Sequence, residues 1–322
     1  MTGRLVEGCE VGSTPGGPPI TRTTTIAGGP MRPNRSEQSA TTDERHGWGW
    51  PSRVLALGFQ ETTRLTTHPL VIAGSLGALA LSVAGPWASL AHSASAAYQS
   101  YETLTVMPSF LLGPLVFFAA NLTASRDRRA GTTDLLTGMP TSTRTRTAAA
   151  LLAALGPATL TVVVISMTAL IYRAFGAQPV RWPTVMELAM QPARVLGAGL
   201  LGVMIARWLP RPGSAAIVMV ALYGWHLVGP GLADHGASMQ AANTVRSFAP
   251  FREVLTYGGP NDTIGSYLFF GSIVWHNAYL LCLGAMAATG ALLATRGPRR
   301  LLLLAGAAAV ASAVFCGWRQ LP

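Results

Sequence analysis

Thr147-AAALLAALGPATLTVVVISMTALI-Tyr172 runs for 26 residues without one charged side chain, and it decides the fold class. Crossing about 30 Å of hydrocarbon takes about 20 mostly apolar residues in a helix, whereas a buried core helix of a soluble protein carries an apolar stretch of about 10–14. The same reading applies to five further charge-free runs: 69–91, 103–125, 212–233, 263–295 and 301–318. Each is long enough to span. A seventh segment is weaker, because 195–206 is apolar for only 12 residues between Arg194 and Arg207. A span there must borrow Met186 to Gln191 on one side and Trp208-Leu209 on the other, which brings Glu187 and Arg194 towards the bilayer edge. Glu187, Gln191 and Arg194 share one helical face, with Pro192 kinking or starting the helix between them. Two readings stay open: the charges snorkel to the interface, or the three residues form a polar stripe facing a pathway.

Composition agrees with a membrane protein. Of 322 residues, 23 are basic and 13 acidic, so 11% are charged, against about 25% in soluble domains. Every basic residue is Arg. Without Lys there is no P-loop, whose Lys reaches the phosphates, and no Schiff-base chemistry. Arg placement orients the chain, because cytoplasmic loops carry the excess of basic residues. With the N-terminus inside, segments 1–68, 126–146, 207–211 and 296–300 hold 17 Arg and the opposite side holds six. The expectation is therefore an all-α, polytopic membrane protein of about seven transmembrane helices, with the N-terminus cytoplasmic and the C-terminus outside. Its net charge of +10 is then a topology signal, and nucleic acid is not an expected partner, since no basic stripe with interleaved aromatics occurs.

Five regions follow. Residues 1–52, rich in Gly, Pro, Thr, Ser and Arg, are expected to form a disordered cytoplasmic tail, and no apolar segment of the secretory type follows Arg4. Residues 53–68 mix Val54, Leu55, Leu57, Phe59 and Leu65 with Arg53, Glu61 and Arg64, which suits an interfacial helix; Thr66 or Thr67 caps the first span, with Pro69 in its first turn. Residues 69–295 form a six-helix core with a cytoplasmic loop at 125–147 and an external segment at 234–262, where a re-entrant helix is expected around 241–257 because a structureless loop of that length is uncommon. Residues 296–322 add a C-terminal transmembrane helix.

The loop reads Ser125-RDRRAGTTDLLTGMPTSTRT-Arg146. Arg126, Arg128 and Arg129 pin the end of a span at the headgroups. Thr132 or Thr133 can N-cap a short helix with Asp134 in its first turn. Leu135, Leu136 and Met139 give that helix an apolar face, and Pro140 ends it. Such a helix is a docking surface, or else the loop is an ordinary positive-inside connection.

This loop resembles that of the permease subunits of type-2 ABC exporters, especially actinobacterial ones, where an R-x-x-G-T-x-x-L-L-x-x-x-P run follows the second helix. Arg128, Gly131, Thr132, Leu135, Leu136 and Pro140 match it. Arg64-LTTHP-Leu70 is similar to that family's approach to its first helix, and Trp275-HNAY-Leu280 to a late helix. The resemblance covers roughly 53–295. It implies a coupling helix that docks on a separate ABC ATPase subunit, a second permease copy or related permease as partner, ATP and Mg bound only by that ATPase, and a bacterial plasma-membrane location. The chain itself is then no enzyme and binds no cofactor. The family core has six helices, so the seventh is an addition, and the fourth is less apolar than the family pattern.

Six of the seven spans contain no Asp, Glu, Arg or Lys, which disfavours a proton- or sodium-coupled carrier and favours energy supplied from outside the bilayer. His226 and His276 read as structural hydrogen bonders rather than proton carriers. His226, Asp234 and His235 have no spacing that fixes a metal geometry. Cys9, Cys282 and Cys316 are scattered and suggest neither disulfide framework nor zinc site. Small residues Gly197, Gly199, Gly202, Gly284 and Ala288 allow close helix approach. A charge-poor bundle leans towards a lipid-like or drug-like (antibiotic-like) substrate. The rival reading is a polytopic sensor or assembly protein with no transport cycle.

Overall fold

The computed structural model describes residues 50–88, 94–129, 141–175, 179, 181–234, 272–295, 297 and 299–319. Residues 1–49 of the expected disordered tail lie outside the described residues, as do the expected re-entrant helix at 241–257 and the loop at 130–140. The regular structure is helical, with no strand among the described residues. In chain order the helices are α1 (Trp50–Thr66), α2 (Pro69–Ala88), α3 (Ala94–Thr105), α4 (Met107–Ala124), α5 (Arg126–Arg129), α6 (Thr143–Ala153), α7 (Leu155–Phe175), α8 (Val185–Trp208), α9 (Ser214–Asp234), α10 (Ile273–Leu293) and α11 (Arg299–Arg319).

Five stretches among the described residues are long and apolar enough to cross a membrane: Thr103–Ala124, Thr143–Phe175, Val185–Trp208, Ile273–Leu293 and Arg299–Arg319. A sixth is reached if α1 and α2, bent by 56° at their junction, count as one. The expected count of seven differs from this for two reasons. The segment from Pro69 meets the criterion only with α1, and of α9 only Ser214–Gly224 has described side chains, which is too short a stretch to meet it. The segment that looked weakest in sequence, Val185–Trp208, meets it alone.

Local chemistry explains the helix starts. Ser142 is extended at φ −67°, ψ 153°, and its hydroxyl accepts the Thr145 amide at 3.1 Å, capping α6. Thr184 caps α8 with a full capping box: its hydroxyl accepts the Glu187 amide at 3.3 Å, and the Glu187 carboxylate accepts the Thr184 amide at 2.6 Å. Two orphan N–H groups are satisfied reciprocally. Pro192 lies inside α8, which continues through it. At the start of α2 the cap differs from the expected Thr66 or Thr67. His68 Nδ1 accepts the Leu70 amide at 3.3 Å, while the Thr67 hydroxyl donates back to the Thr63 carbonyl at 2.8 Å.

Helix α8 is the central element, packed along α4 and α10 and touching α7. It runs parallel to α4, because Gln191 meets Ser109 near one end and Gly202 meets Asn121 near the other. It runs parallel to α10 as well. Asn277 donates to the Met186 carbonyl at 2.8 Å, Gly284 lies against Gly197 and Leu200, and the Trp208 indole donates to the Gly290 carbonyl at 2.8 Å. The small residues are close-approach points. A Cβ on Gly202 would stand 2.4 Å from the Phe117 carbonyl oxygen, and one on Gly199 2.8 Å from Ala154 Cβ. The side chains of Ile72, Leu76, Val163, Leu170, Ile217, Val220 and Leu304 point outward, an apolar perimeter suited to lipid.

The contacts bring particular helix ends together. The C-terminal ends of α4, α8 and α10 lie with the start of α6, whose Arg144 reaches Gly297 in the turn before α11. This end carries Arg126, Arg129, Arg144, Arg146, Arg207, Arg211, Arg299 and Arg300. The other end carries Arg173, Arg181 and Arg319.

Candidate functional site

At the arginine-poor end, the N-terminal turns of α4, α8 and α10 converge with α3. Glu187, Gln191 and Arg194 are 2%, 0% and 1% exposed, so the three side chains lie inside the bundle and do not snorkel to its edge. Seven residues of helix carry this stripe about 10 Å along the axis.

Glu187 is its most heavily bonded member. Arg181, in the segment before α8, grips the carboxylate with both terminal nitrogens at 2.9 and 2.5 Å. The Tyr101 hydroxyl of α3 donates to the same carboxylate, and the Arg181 guanidinium stands 5.0 Å over the Tyr101 ring. With the Thr184 amide, this carboxylate ties together the α7–α8 connection, the start of α8 and α3. A two-pronged Arg–carboxylate pair adds geometric definition as well as attraction, and it satisfies a charge that would otherwise be costly to bury.

One turn further in, Gln191 accepts the Ser109 amide at 3.2 Å. Its side-chain NH2 group is buried with no hydrogen-bond partner among the described residues, as is the Asn277 Oδ1 atom on α10. Buried polar groups are ordinarily hydrogen-bonded, so these two atoms, a donor on the stripe and an acceptor on α10, stand out. Arg194 and His276 are each 1% exposed and make their contacts inside the packing. Asn277, within the Trp275–Leu280 stretch, holds α10 to the first turn of α8. Among the described residues no three His, Cys, Asp or Glu side chains gather as a metal site. The His226 and Asp234 side chains and all of His235 lie outside the described residues.

At the arginine-rich end the loop is anchored on both sides. Glu61 of α1 meets Arg126 at 2.8 Å and Arg64 at 3.3 Å, and Arg129 donates to the Leu122 carbonyl at the end of α4. These arginines therefore close the helix end and hold α1 as well as facing outward. Arg128 lies in α5, its side chain outside the described residues. Gly131, Thr132, Asp134, Leu135, Leu136, Met139 and Pro140 lie outside them entirely. On the far side of the loop, α6 packs along α1 with Gly58 against Leu152, and Gly156 at the start of α7 lies against Thr62 and Thr66. The loop leaves α4 and returns at α6, and α1 touches both.

Sequence reading had not singled out Tyr101, Ser109, Arg181 or Asn277. Thr184-Val-Met-Glu187 is a capping-box pattern, which marks the start of α8 and the role of Glu187 but not its partner Arg181. For the others no local pattern exists, since each partner is more than 80 residues away in the chain.

The chain matches no family model, no curated protein and no solved structure. The resemblance to type-2 ABC exporter permeases rests on the sequence of 126–158, 64–70 and 275–280 alone.

Proposed function

We propose that the chain is the membrane-spanning permease subunit of an ABC exporter in a bacterial plasma membrane. It moves a lipid-like or drug-like molecule with ATP hydrolysed by a separate ATPase subunit, and it works beside a second copy or a related permease. In this reading all seven apolar segments span, with α1 at the cytoplasmic interface, the N-terminus inside and the C-terminus outside. Residues 131–139 dock on the ATPase, and the polar stripe lines the path taken by the polar part of the substrate.

The observation that carries the reading is the gathering of arginine-bearing helix ends at one end of the bundle, among them α5 and α6, which flank residues 130–140 in the chain. Cytoplasmic segments carry such an excess. The α1–Glu61–Arg126 clasp offers a route for motion of the loop to reach the bundle. The energy argument agrees. Glu187, the one carboxylate within the five candidate spans, is held by Arg181 and Tyr101, an arrangement suited to structure more than to a proton cycle.

The test is a pull-down of the full chain from its native membranes in mild detergent. Recovery of a protein with Walker A and Walker B motifs supports the permease reading. Recovery of a sensor kinase or a synthase with no ATPase supports the sensor or assembly reading instead.

A further inference from the structure

Helices α10 and α11 pack face to face and antiparallel. Trp275 of α10 meets Phe315 of α11 edge-on with ring centroids 5.5 Å apart, and Arg319 stands 5.7 Å over the same indole. Further along, Gly306 of α11 faces Thr289 of α10, the Oγ1 atom 3.7 Å from where a Cβ would be. Between these two fixed points lies one apolar cluster, in which Tyr279, Leu283, Ala313 and Cys316 are buried and Cys282 packs against them. Positions 275, 279, 282, 283 and 286 recur at helical spacing on one side of α10, so Cys282 belongs to the face that α11 covers. The Cys282 and Cys316 thiols are neighbours within this cluster, and both are free. The α11 side of this contact is built from Gly306, Ala309, Ala313 and Gly317, and small residues let backbones come close. Close approach is what a disulfide needs, since its two Cα atoms lie about 4.4–6.8 Å apart.

We infer that Cys282 and Cys316 are an oxidisable dithiol that joins the C-terminal helix to α10 by a disulfide within one chain. In the reaction both S–H bonds break and one S–S bond forms. Two protons and two electrons pass to a two-electron oxidant, such as a protein or small-molecule disulfide that leaves as two thiols. The bond would matter for α11 in particular, because α10 is its main packing partner among the described residues. A link there holds α11 in register with α10 when the rest of the bundle moves.

The experiment uses the full chain in membranes, with Cys9→Ser removing the third cysteine. Membranes are treated with diamide, which takes up the two electrons and two protons as a hydrazine, then denatured and labelled with a maleimide-linked polyethylene glycol. Untreated protein is expected to carry two labels and oxidised protein none, at monomer mass on a non-reducing gel, with dithiothreitol restoring both. The single variants Cys282→Ser and Cys316→Ser are expected to keep their one label with or without diamide. Retention of two labels after diamide overturns the inference, and so does loss of label with a shift to dimer mass. This outcome is independent of whether an ATPase is recovered in the pull-down.

Discussion

Arg181→Ala and Glu187→Gln should combine non-additively, and the direction of that non-additivity is specific. Arg181→Ala removes the guanidinium from a carboxylate that is 2% exposed, leaving the Tyr101 hydroxyl and the Thr184 amide as donors. Losing one partner of a buried ion pair costs about 3–5 kcal/mol, because the other charge stays buried. The Arg181 side chain is itself 33% exposed and two donors remain, so about 2–3 kcal/mol is expected here. Glu187→Gln alone should cost about 1 kcal/mol, because Arg181 can turn to water, the amide oxygen still accepts the Thr184 amide, and the amide NH2 can donate to the Tyr101 hydroxyl oxygen. On the Arg181→Ala background the same change removes the stranded charge and should recover about 1–2 kcal/mol. At about 2–4 °C per kcal/mol for a chain of this class, Arg181→Ala lowers Tm by about 4–12 °C, and the double variant regains about 2–8 °C of it. Thermal unfolding in mild detergent, followed by tryptophan fluorescence, measures all four proteins. A double variant less stable than Arg181→Ala would refute the reading of Glu187 as a buried charge held mainly by Arg181.

The α4–α8 contact gives a second test. Gly202→Ala puts a Cβ 2.4 Å from the Phe117 carbonyl oxygen, so the helices must separate, at a cost of about 1–3 kcal/mol in the same unfolding assay. Gly224→Ala, with nothing within 4 Å, should instead be neutral or stabilising by about 0.5–1 kcal/mol. Topology is tested by single cysteines at Ser95, Ser142 and Gln320 in a background without the native three. Labelling should be external, cytoplasmic and external, and cytoplasmic labelling at Gln320 would remove the seventh span.

Long-range burial was legible where it depends on run length. The charge-free stretches became helices, and even Val185–Trp208, with only 12 uninterrupted apolar residues, is the helix around which the others pack. Its polar start stayed between two readings, edge charges or a stripe within the bundle, and the burial of Glu187, Gln191 and Arg194 sets the edge reading aside. Thr184-Val-Met-Glu187 is a helix-start signal, and reading it first would have put Glu187 in the first turn with its carboxylate already engaged. The Thr66 or Thr67 cap failed for a related reason. Both hydroxyls belong to the tail of α1, where Thr67 bonds back to Thr63, so the cap passed to His68. Tyr101, Asn277 and the Cys282–Cys316 pair could not be found from spacing, because helix packing alone brings them to their partners. Among the described residues, arginines of 126–146, 207–211 and 299–300, separate in sequence, lie at one end of the bundle.

The central claim is that residues 131–139 dock on an ATPase. Leu135→Asp with Leu136→Asp tests it most directly, because it alters the expected docking face and leaves the Arg126–Glu61 clasp and the Ser142 cap untouched. Burying one Leu is worth about 1.5–3 kcal/mol, and unpaired charges in its place cost more. The double variant should insert normally, yet fail to co-purify with the ATPase recovered by the parent chain. A variant that inserts, retains its ATPase and keeps full ATP-dependent export would contradict the claim and leave the loop as a membrane anchor.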